Sequence, residues 1–145
     1  MWRRLLVGAI LVFGVLQIIP VHRTNPPVVN AVVFADPQAE RIAQIACYDC
    51  HTNDNQWPWY SYVAPVSWVV VHHVDEGRHE LNFSDVAATM AGEAGYEIID
   101  EAIETITEGE MPPPYYLLTH PQAKLSDADK AILIAGIKQA LATQK

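Results

Sequence analysis

Hydrophobic residues are spread unevenly along the chain, and their spacing predicts a series of helices. Residues 5–19 form an apolar run that is interrupted only by two glycines and Gln17, and Pro20 follows it. Further along, apolar residues recur every three or four positions, which is the period of a helix with one buried face. Few segments show the alternation of apolar and polar residues that is typical of a strand. The pattern therefore predicts an all-α protein.

The N-terminal run has the features of a membrane-targeting segment. Arg3 and Arg4 precede it, and its fifteen apolar residues fall just short of the roughly 17–25 that a spanning helix needs, unless Trp2, Pro20 and Val21 extend it at the interfaces. No pair of small residues follows closely, so an uncleaved anchor over residues 1–21 is favoured over a signal peptide. The alternative is late cleavage after residues 33–35.

The arginines also predict an orientation for this anchor. Positive residues stay on the inner side of the membrane, which would send all that follows to the outer, periplasmic face of a bacterial inner membrane. Residues 22–35 contain Pro26-Pro27 and no helical period, so an extended tether is expected there. Residues 36–145 would then form one small domain.

Helix start and stop signals divide this domain. Asp36-Pro37 starts a helix that runs directly into Cys47, and Pro65 opens another that continues to about Leu81. In that second helix Val66, Val69, Val70, His73, Val74 and Gly77 share a face, so His73 is expected to point inward and His72 outward. Ser84-Asp85 caps a short helix ending near Gly92. Another helix is predicted to stop at Gly109, and its apolar stripe consists of Tyr96, Ile99, Ile103 and Ile106. The Ser126–Asp129 segment opens the last helix, which continues to about Ala142.

The charge of the chain limits the classes of partner that it is expected to bind. The formal net charge is −8, and all 17 acidic residues lie from Asp36 onward, which argues against nucleic acid. Eight of them fall between Asp85 and Glu110 without a Lys or Arg, so one surface should attract partners with basic docking surfaces. The alternative is a solvated acidic helix face. A core of this size would also gain from a large apolar cofactor.

The five residues Cys47-Tyr48-Asp49-Cys50-His51 contain both cysteines of the chain. Two thiols three positions apart can bond to the two vinyl groups of one haem, with the adjacent histidine as proximal iron ligand. Three alternatives are a thioredoxin-like dithiol, a zinc site and a short-loop disulfide. The dithiol is disfavoured because its reactive cysteine belongs at a helix N-terminus, and adjacent Cys50 and His51 are awkward for one zinc ion.

The sixth iron ligand decides what such a haem does. Met111 is preferred, because it follows a helix end in a proline-stiffened segment that cannot be helical, Glu110 to Pro114, and a methionine ligand suits electron transfer. His73 is the main competitor, whereas Met90, His72, His79 and His120 carry less weight. Trp57, Trp59, Tyr60 and Tyr62 are candidates to flank the haem, and Arg78 to bind its propionates. The alternative for the aromatic residues is that they only fill the core.

The chain resembles the bacterial haem-binding domain family of small c-type cytochromes. The segments that carry the resemblance are the Cys47–His51 motif, Trp57-Pro58-Trp59-Tyr60-Ser61, Ala64-Pro65-Val66-Ser67-Trp68, Glu76-Gly77-Arg78, Leu81-Asn82-Phe83-Ser84, Gly109-Glu110-Met111-Pro112-Pro113 and residues 20–27. The family implies a cytochrome c-like helical fold, covalent haem on Cys47 and Cys50, and His51 as proximal ligand. Met111 matches its Met-Pro position, whereas Val86 stands where a tryptophan is common.

Together these features predict a membrane-anchored monohaem cytochrome c that passes single electrons between redox proteins. It would transform no substrate, so it is not expected to be an enzyme. The alternatives are a haem-based gas or redox sensor or a small peroxidase with a labile sixth ligand, and a zinc-stabilised or disulfide-stabilised binding module without haem.

Overall fold

The fold was obtained as a computed structural model, and the structure describes residues 1–90 and 94–142. Within these residues the chain forms helices α1 Trp2–Leu16, α2 Pro37–Ala46, α3 Tyr48–His51, α4 Val66–Glu80, α5 Val86–Thr89, α6 Ala94–Glu108, α7 Pro114–Leu117 and α8 Asp127–Ala142. Two 3-10 turns, Trp59–Tyr62 and Pro121–Ala123, complete the set. The described residues contain no strand, only an isolated bridge between Asn30 and Asp85. The helical class agrees with the sequence, while the likeness to cytochrome c stays a prediction.

The prediction of a membrane-spanning helix at the N-terminus is wrong. None of the helices in residues 1–90 and 94–142 has the length and apolar character needed to cross a membrane. Helix α1 has 15 residues, which at about 1.5 Å per residue is shorter than the roughly 30 Å of a bilayer core. Its last turn ends at Leu16, and the Gln17 side chain pairs with both backbone groups of Ala64. The predicted location, a single-pass inner-membrane protein, is wrong for the same reason.

Local capping explains where the remaining helices begin. The Asp36 carboxylate accepts a hydrogen bond from the Gln38 N–H at 2.8 Å, as its place before Pro37 predicts. Ser126 and Asp129 bond reciprocally at the start of α8. Asp85 caps α5, whose predicted end near Gly92 lies outside the described residues, as does the Tyr96 side chain. Helix α6 ends at Glu108, and the next residue, Gly109, has a φ of 81° that only glycine adopts readily.

The core lies between α2 and α8. Helix α8 buries Leu133 and Ile137, and α2 buries Ala39 and Ala43 against it. Gly136 permits this approach, because a Cβ there would collide with the Ala39 Cβ and lie 3.2 Å from Phe34. Small residues on both helices therefore set their separation. Phe34, Phe83, Val86 and Ile106 close the same cluster.

Residues 22–34 contain no helix and only the isolated bridge at Asn30, and they are bonded to the rest of the domain. The Val32 N–H donates to the Phe83 carbonyl at 2.7 Å, and the Val29 and Asn30 N–H groups donate to the Ser84 carbonyl. Val32 and Phe34 are buried in the core. We call residues 23–34 the N-terminal strap. The division of the chain at residues 21 and 35 stays a prediction, and the strap forms part of the folded unit.

The predicted apolar face of α4 is only partly correct. Val66 and Val69 are 46% and 51% exposed, whereas Ser67, Val71 and Val74 are the buried residues of this helix. Helical periodicity identified a hydrophobic stripe, but that stripe lines an open cavity instead of the core. His72 faces solvent as expected and pairs with Glu76 at 3.2 Å.

Candidate functional site

The Cys47–His51 motif forms one tight turn at the end of α2. The Cys47 N–H donates to the Ala43 carbonyl at 2.8 Å, which closes α2, and the Cys47 carbonyl accepts from the N–H groups of Cys50 and His51. Cys47 is thus the C-cap of α2 and the N-cap of the next helix, α3. This turn brings Cys47, Cys50 and His51 together along one cavity.

The two cysteines are free, partly buried thiols. Burial, helped by the neighbouring Cys50, raises the pKa of Cys47 to about 12. Burial, helped by Asp49, raises the pKa of Cys50 to about 11. Both groups are therefore protonated at neutral pH. A redox dithiol depends on a thiol whose pKa is lowered toward neutrality, so this environment does not favour that alternative.

His51 is held in one orientation and one tautomer. Its Nδ1 lies 2.9 Å from the Leu81 carbonyl oxygen. Because a carbonyl can only accept, Nδ1 carries the proton and Nε2 keeps its lone pair. Burial lowers the pKa of His51, with hydrogen bonds to the backbone of Leu81 and Gly77 opposing the shift. The neutral ring with a fixed second nitrogen is the form in which histidine binds a metal ion.

Two adjoining cavities of about 120 and 270 Å³ open beside this turn. Cys47, His51, Glu80 and Met111 line both of them. The rest of the first cavity is lined by Glu101, Thr105 and a majority of apolar side chains, which are Leu81, Phe83, Ile98, Ala102, Ile106 and Ile137. A mostly apolar cleft with a few convergent polar groups is the usual form of a cofactor site. The cavities therefore extend the site from the motif toward Met111.

Met111 comes to this cleft although it lies sixty residues beyond His51. Its N–H and that of Glu110 both donate to the Thr105 carbonyl, which fixes the chain just after α6. The Met111 side chain is 40% exposed, a large fraction for a thioether that lines an apolar cavity. A flat apolar group between His51 and Met111 would cover both the cleft and this side chain. Pro114 is not extended as predicted but begins α7.

His73, the predicted competitor for the iron, lies on the rim of the second cavity. Its ring is half-buried and stacks on that of Tyr115, with centroids 4.8 Å apart and planes inclined by 20°. This contact occupies one face of the imidazole. The helical pattern therefore placed His73 near the site, and its observed partner is an aromatic ring.

The predicted flanking residues fall into two groups. Trp59 and Tyr60 line a third cavity of about 490 Å³ that also borders Cys50, His73 and Tyr116. Trp59 is 78% exposed. The other group, Trp57, Tyr62 and Arg78, lies outside the two cavities that contain His51 and Met111.

Arg78 binds the backbone of two segments. Its guanidinium donates to the Thr52 carbonyl at 2.7 Å, directly after the motif, and to the Thr24 carbonyl at 2.7 Å in the N-terminal strap. It also donates to the Asn25 side chain, which accepts a further bond from the Trp57 indole at 3.1 Å. Burial lowers the pKa of Arg78. The residue predicted to meet haem propionates thus joins the strap to the motif.

Sequence reasoning gave no role to Asp49, Glu80 or Tyr116. Asp49 lies inside the motif, and the Tyr116 hydroxyl donates to its carboxylate at 2.8 Å. Burial and this hydrogen bond raise the pKa of Tyr116. Glu80 ends α4 at the edge of both cavities. Its place at the end of α4, directly before Leu81, gave no sign of such a role in the sequence.

Comparisons with known proteins identify one family. A family model described as a haem-binding domain matches residues 11–139 of the chain. No curated protein and no solved structure matches it. In the part of the chain that the structure describes, no three His, Cys, Asp or Glu side chains form a cluster that could hold a bare metal ion.

Proposed function

Since this chain belongs to the haem-binding domain family, we propose that it is a monohaem c-type cytochrome that carries single electrons and transforms no substrate. The observation that supports this proposal best is that His51 and Met111 line the same two cavities beside Cys47. Histidine and methionine as axial ligands give a low-spin iron suited to electron transfer.

The residues at the cleft fit one covalently bound haem. Each thiol, on Cys47 and on Cys50, would add across one vinyl double bond, with sulfur bonding to one carbon and hydrogen to the other. His51 would bind the iron through Nε2, because Nδ1 already donates to the Leu81 carbonyl. Met111 would supply its sulfur as a further ligand to the iron. The haem contributes the one-electron couple between ferric and ferrous iron.

The protein around the cleft controls solvent and charge. Apolar residues such as Phe83, Ile106 and Ile137 line the first cavity and would exclude water from the cofactor. Glu80 and Glu101 place carboxylates at the same cavity. A negative charge near the iron stabilises its more positive oxidised state, so these two residues would lower the reduction potential that methionine ligation raises.

The proposed partners are redox proteins with basic docking surfaces. Helix α6 carries exposed carboxylates at Glu97, Asp100, Glu104 and Glu108, and Glu101 lies between them at the edge of the cleft. A negative field of this kind speeds the approach of a positive partner and is weakened by salt. We expect the rate of electron exchange with a basic redox protein to fall steeply as ionic strength rises, whereas exchange with an acidic one should not.

The deciding experiment is an optical spectrum of the chain produced with haem-maturation machinery. We expect sharp reduced bands, a weak far-red band in the oxidised form, and haem that stays on the chain after denaturation. Cys47→Ala with Cys50→Ala should lose the covalent haem. Met111→Ala should lose the far-red band, whereas His73→Ala, the matched change at the other cavity-lining candidate, should retain it.

Two results would contradict this proposal. Haem that extracts freely from the denatured wild-type chain would rule out covalent attachment. A high-spin spectrum that shifts with carbon monoxide would indicate an open sixth position and thus a sensor or peroxidase.

A further inference from the structure

The two halves of the proposed haem site are joined by a hydrogen bond between side chains far apart in sequence. The Tyr116 hydroxyl donates to the Asp49 carboxylate at 2.8 Å. Asp49 lies between the two cysteines, and Tyr116 lies five residues after Met111. This bond therefore connects the turn that holds His51 to the segment that holds the proposed sixth ligand.

Tyr116 is itself held in place by His120. The two rings stack with centroids 4.0 Å apart and planes inclined by 10°, and the His120 N–H donates to the Tyr116 carbonyl at 3.0 Å. His120 Nε2 also lies 3.8 Å from the Asp49 carboxylate. The stack on His120 thus directs the Tyr116 ring toward Asp49, and this stack does not depend on the Tyr116 hydroxyl group. Removing the hydroxyl should leave the stack intact.

The segment between these contacts is short and stiff. Upstream, the Glu110 and Met111 N–H groups are bonded to Thr105, and downstream the helix α7 carries Tyr116. Prolines 112–114 fix three consecutive φ angles between the two ends. A stiff segment fixed at both ends holds Met111 in one position. If the Tyr116–Asp49 bond is lost, the Thr105 bonds upstream and the stack of Tyr115 on His73 downstream remain, so the downstream end of the segment is held less firmly.

We propose that Tyr116 is a positioning residue whose hydrogen bond to Asp49 fastens residues 111–120 to the Cys47–His51 turn and so keeps the Met111 sulfur on the iron. This inference rests on the proposed function, because it requires Met111 as the sixth ligand. A thioether is a weak ligand that exogenous imidazole can displace. The Tyr116–Asp49 bond opposes that displacement by keeping the sulfur close when it leaves the iron.

The test measures imidazole binding to the oxidised holoprotein. Tyr116→Phe should bind imidazole about tenfold more tightly than the wild type, because a hydrogen bond to a charged group stabilises the closed segment by an amount of this order. Tyr115→Phe is the matched control, because Tyr115 lies in the same helix and its ring stacks on His73. It should bind imidazole as the wild type does.

Variants of the acceptor provide an independent comparison. Asp49→Ala should raise the imidazole affinity as much as Tyr116→Phe, and the double variant should raise it no further. Asp49→Asn keeps an oxygen that accepts the hydrogen bond and should remain within about threefold of the wild type. If Tyr116→Phe yields no folded holoprotein, the difference between Asp49→Ala and Asp49→Asn tests the same bond.

The outcomes separate this inference from the proposed function. If Met111→Ala abolishes the far-red band but Tyr116→Phe and Asp49→Ala bind imidazole as the wild type does, the positioning role is wrong and the proposed ligand stands. If the wild type has no far-red band and Met111→Ala changes nothing, the proposed ligand is wrong, and the inference fails with it.

Discussion

Gly77 offers a direct test of how α4 supports the haem motif. A Cβ built on Gly77 would lie 2.8 Å from the Cys50 carbonyl oxygen and 3.2 Å from the Cys50 Cβ. Ordinary contacts begin near 3.4 Å, so Gly77→Ala requires a displacement of about 0.6 Å at the oxygen. The obstacle is backbone, which cannot rotate away as a flexible side chain would. Either α4 or the motif must move.

Two opposing contributions decide whether Gly77→Ala raises or lowers the free energy of unfolding. Alanine is about 1 kcal/mol better than glycine in a helix interior. Overpacking typically costs about 1–3 kcal/mol, and contact with a backbone carbonyl belongs in the upper half of that range. We therefore expect Gly77→Ala to lower the free energy of unfolding by about 1–2 kcal/mol. The shift should also disturb His51, whose ring is hydrogen-bonded to the Leu81 carbonyl directly after α4.

Urea denaturation of the holoprotein, followed by far-ultraviolet circular dichroism, measures this change. Gly14→Ala is the matched control, because it makes the same substitution inside helix α1, where nothing lies within 4 Å. Gly14→Ala should not lower the urea midpoint, whereas Gly77→Ala should. A Gly77→Ala variant as stable as the wild type, with an unchanged haem spectrum, would refute the close packing of α4 on Cys50.

Three further predictions concern the core, the strap and the last helix. Leu133→Ala removes a fully buried side chain and should lower the free energy of unfolding in urea by about 2–5 kcal/mol; a loss under about 1 kcal/mol would contradict its place in the core. Arg78→Ala removes the bonds to Thr24 and Thr52, so limited proteolysis should cut the strap several-fold faster than in the wild type. Equal rates would be evidence against this link. Hydrogen bonds from Ser126 lower the pKa of Asp129 below its usual 3.8. The stability that the Asp129 carboxylate gives to the folded protein is therefore complete above pH 3.8, and it is lost as the pH falls through the lower pKa of the folded state. The stability difference between wild type and Asp129→Ala should therefore shrink below a pH of about 3.8, and a constant difference would contradict it.

Local signals made several helices predictable from the sequence. The Asp36 cap, the Ser126–Asp129 capping pair and the Gly109 stop each act within four residues, so no knowledge of the tertiary fold is needed to read them. The half of the candidate site that the Cys47–His51 motif forms was predictable for the same reason. Cys47, Cys50 and His51 are almost contiguous, and one helical turn fixes their relation.

The features that the sequence did not reveal depend on contacts between distant segments. Hydropathy alone indicated an anchor at the N-terminus, but the end of α1 is set where Gln17 meets Ala64. The apolar stripe of α4 was read as a core face, and it lines a cavity instead. The hydrogen bond from Tyr116 to Asp49 joins residues 67 positions apart, and no periodicity marks such a pair.

The N-terminal strap also has a consequence for how the domain forms during synthesis. Phe34 is among the first core residues to leave the ribosome, yet it packs near Gly136 of α8, which is among the last. The strap's hydrogen-bond partners, Phe83 and Ser84, emerge midway. Contacts between segments this far apart must await the synthesis of the later one, and closing them is slow compared with local folding. The burial of Phe34 beside α8 is therefore a late step in folding, whereas the bond from Val32 to Phe83 can form earlier.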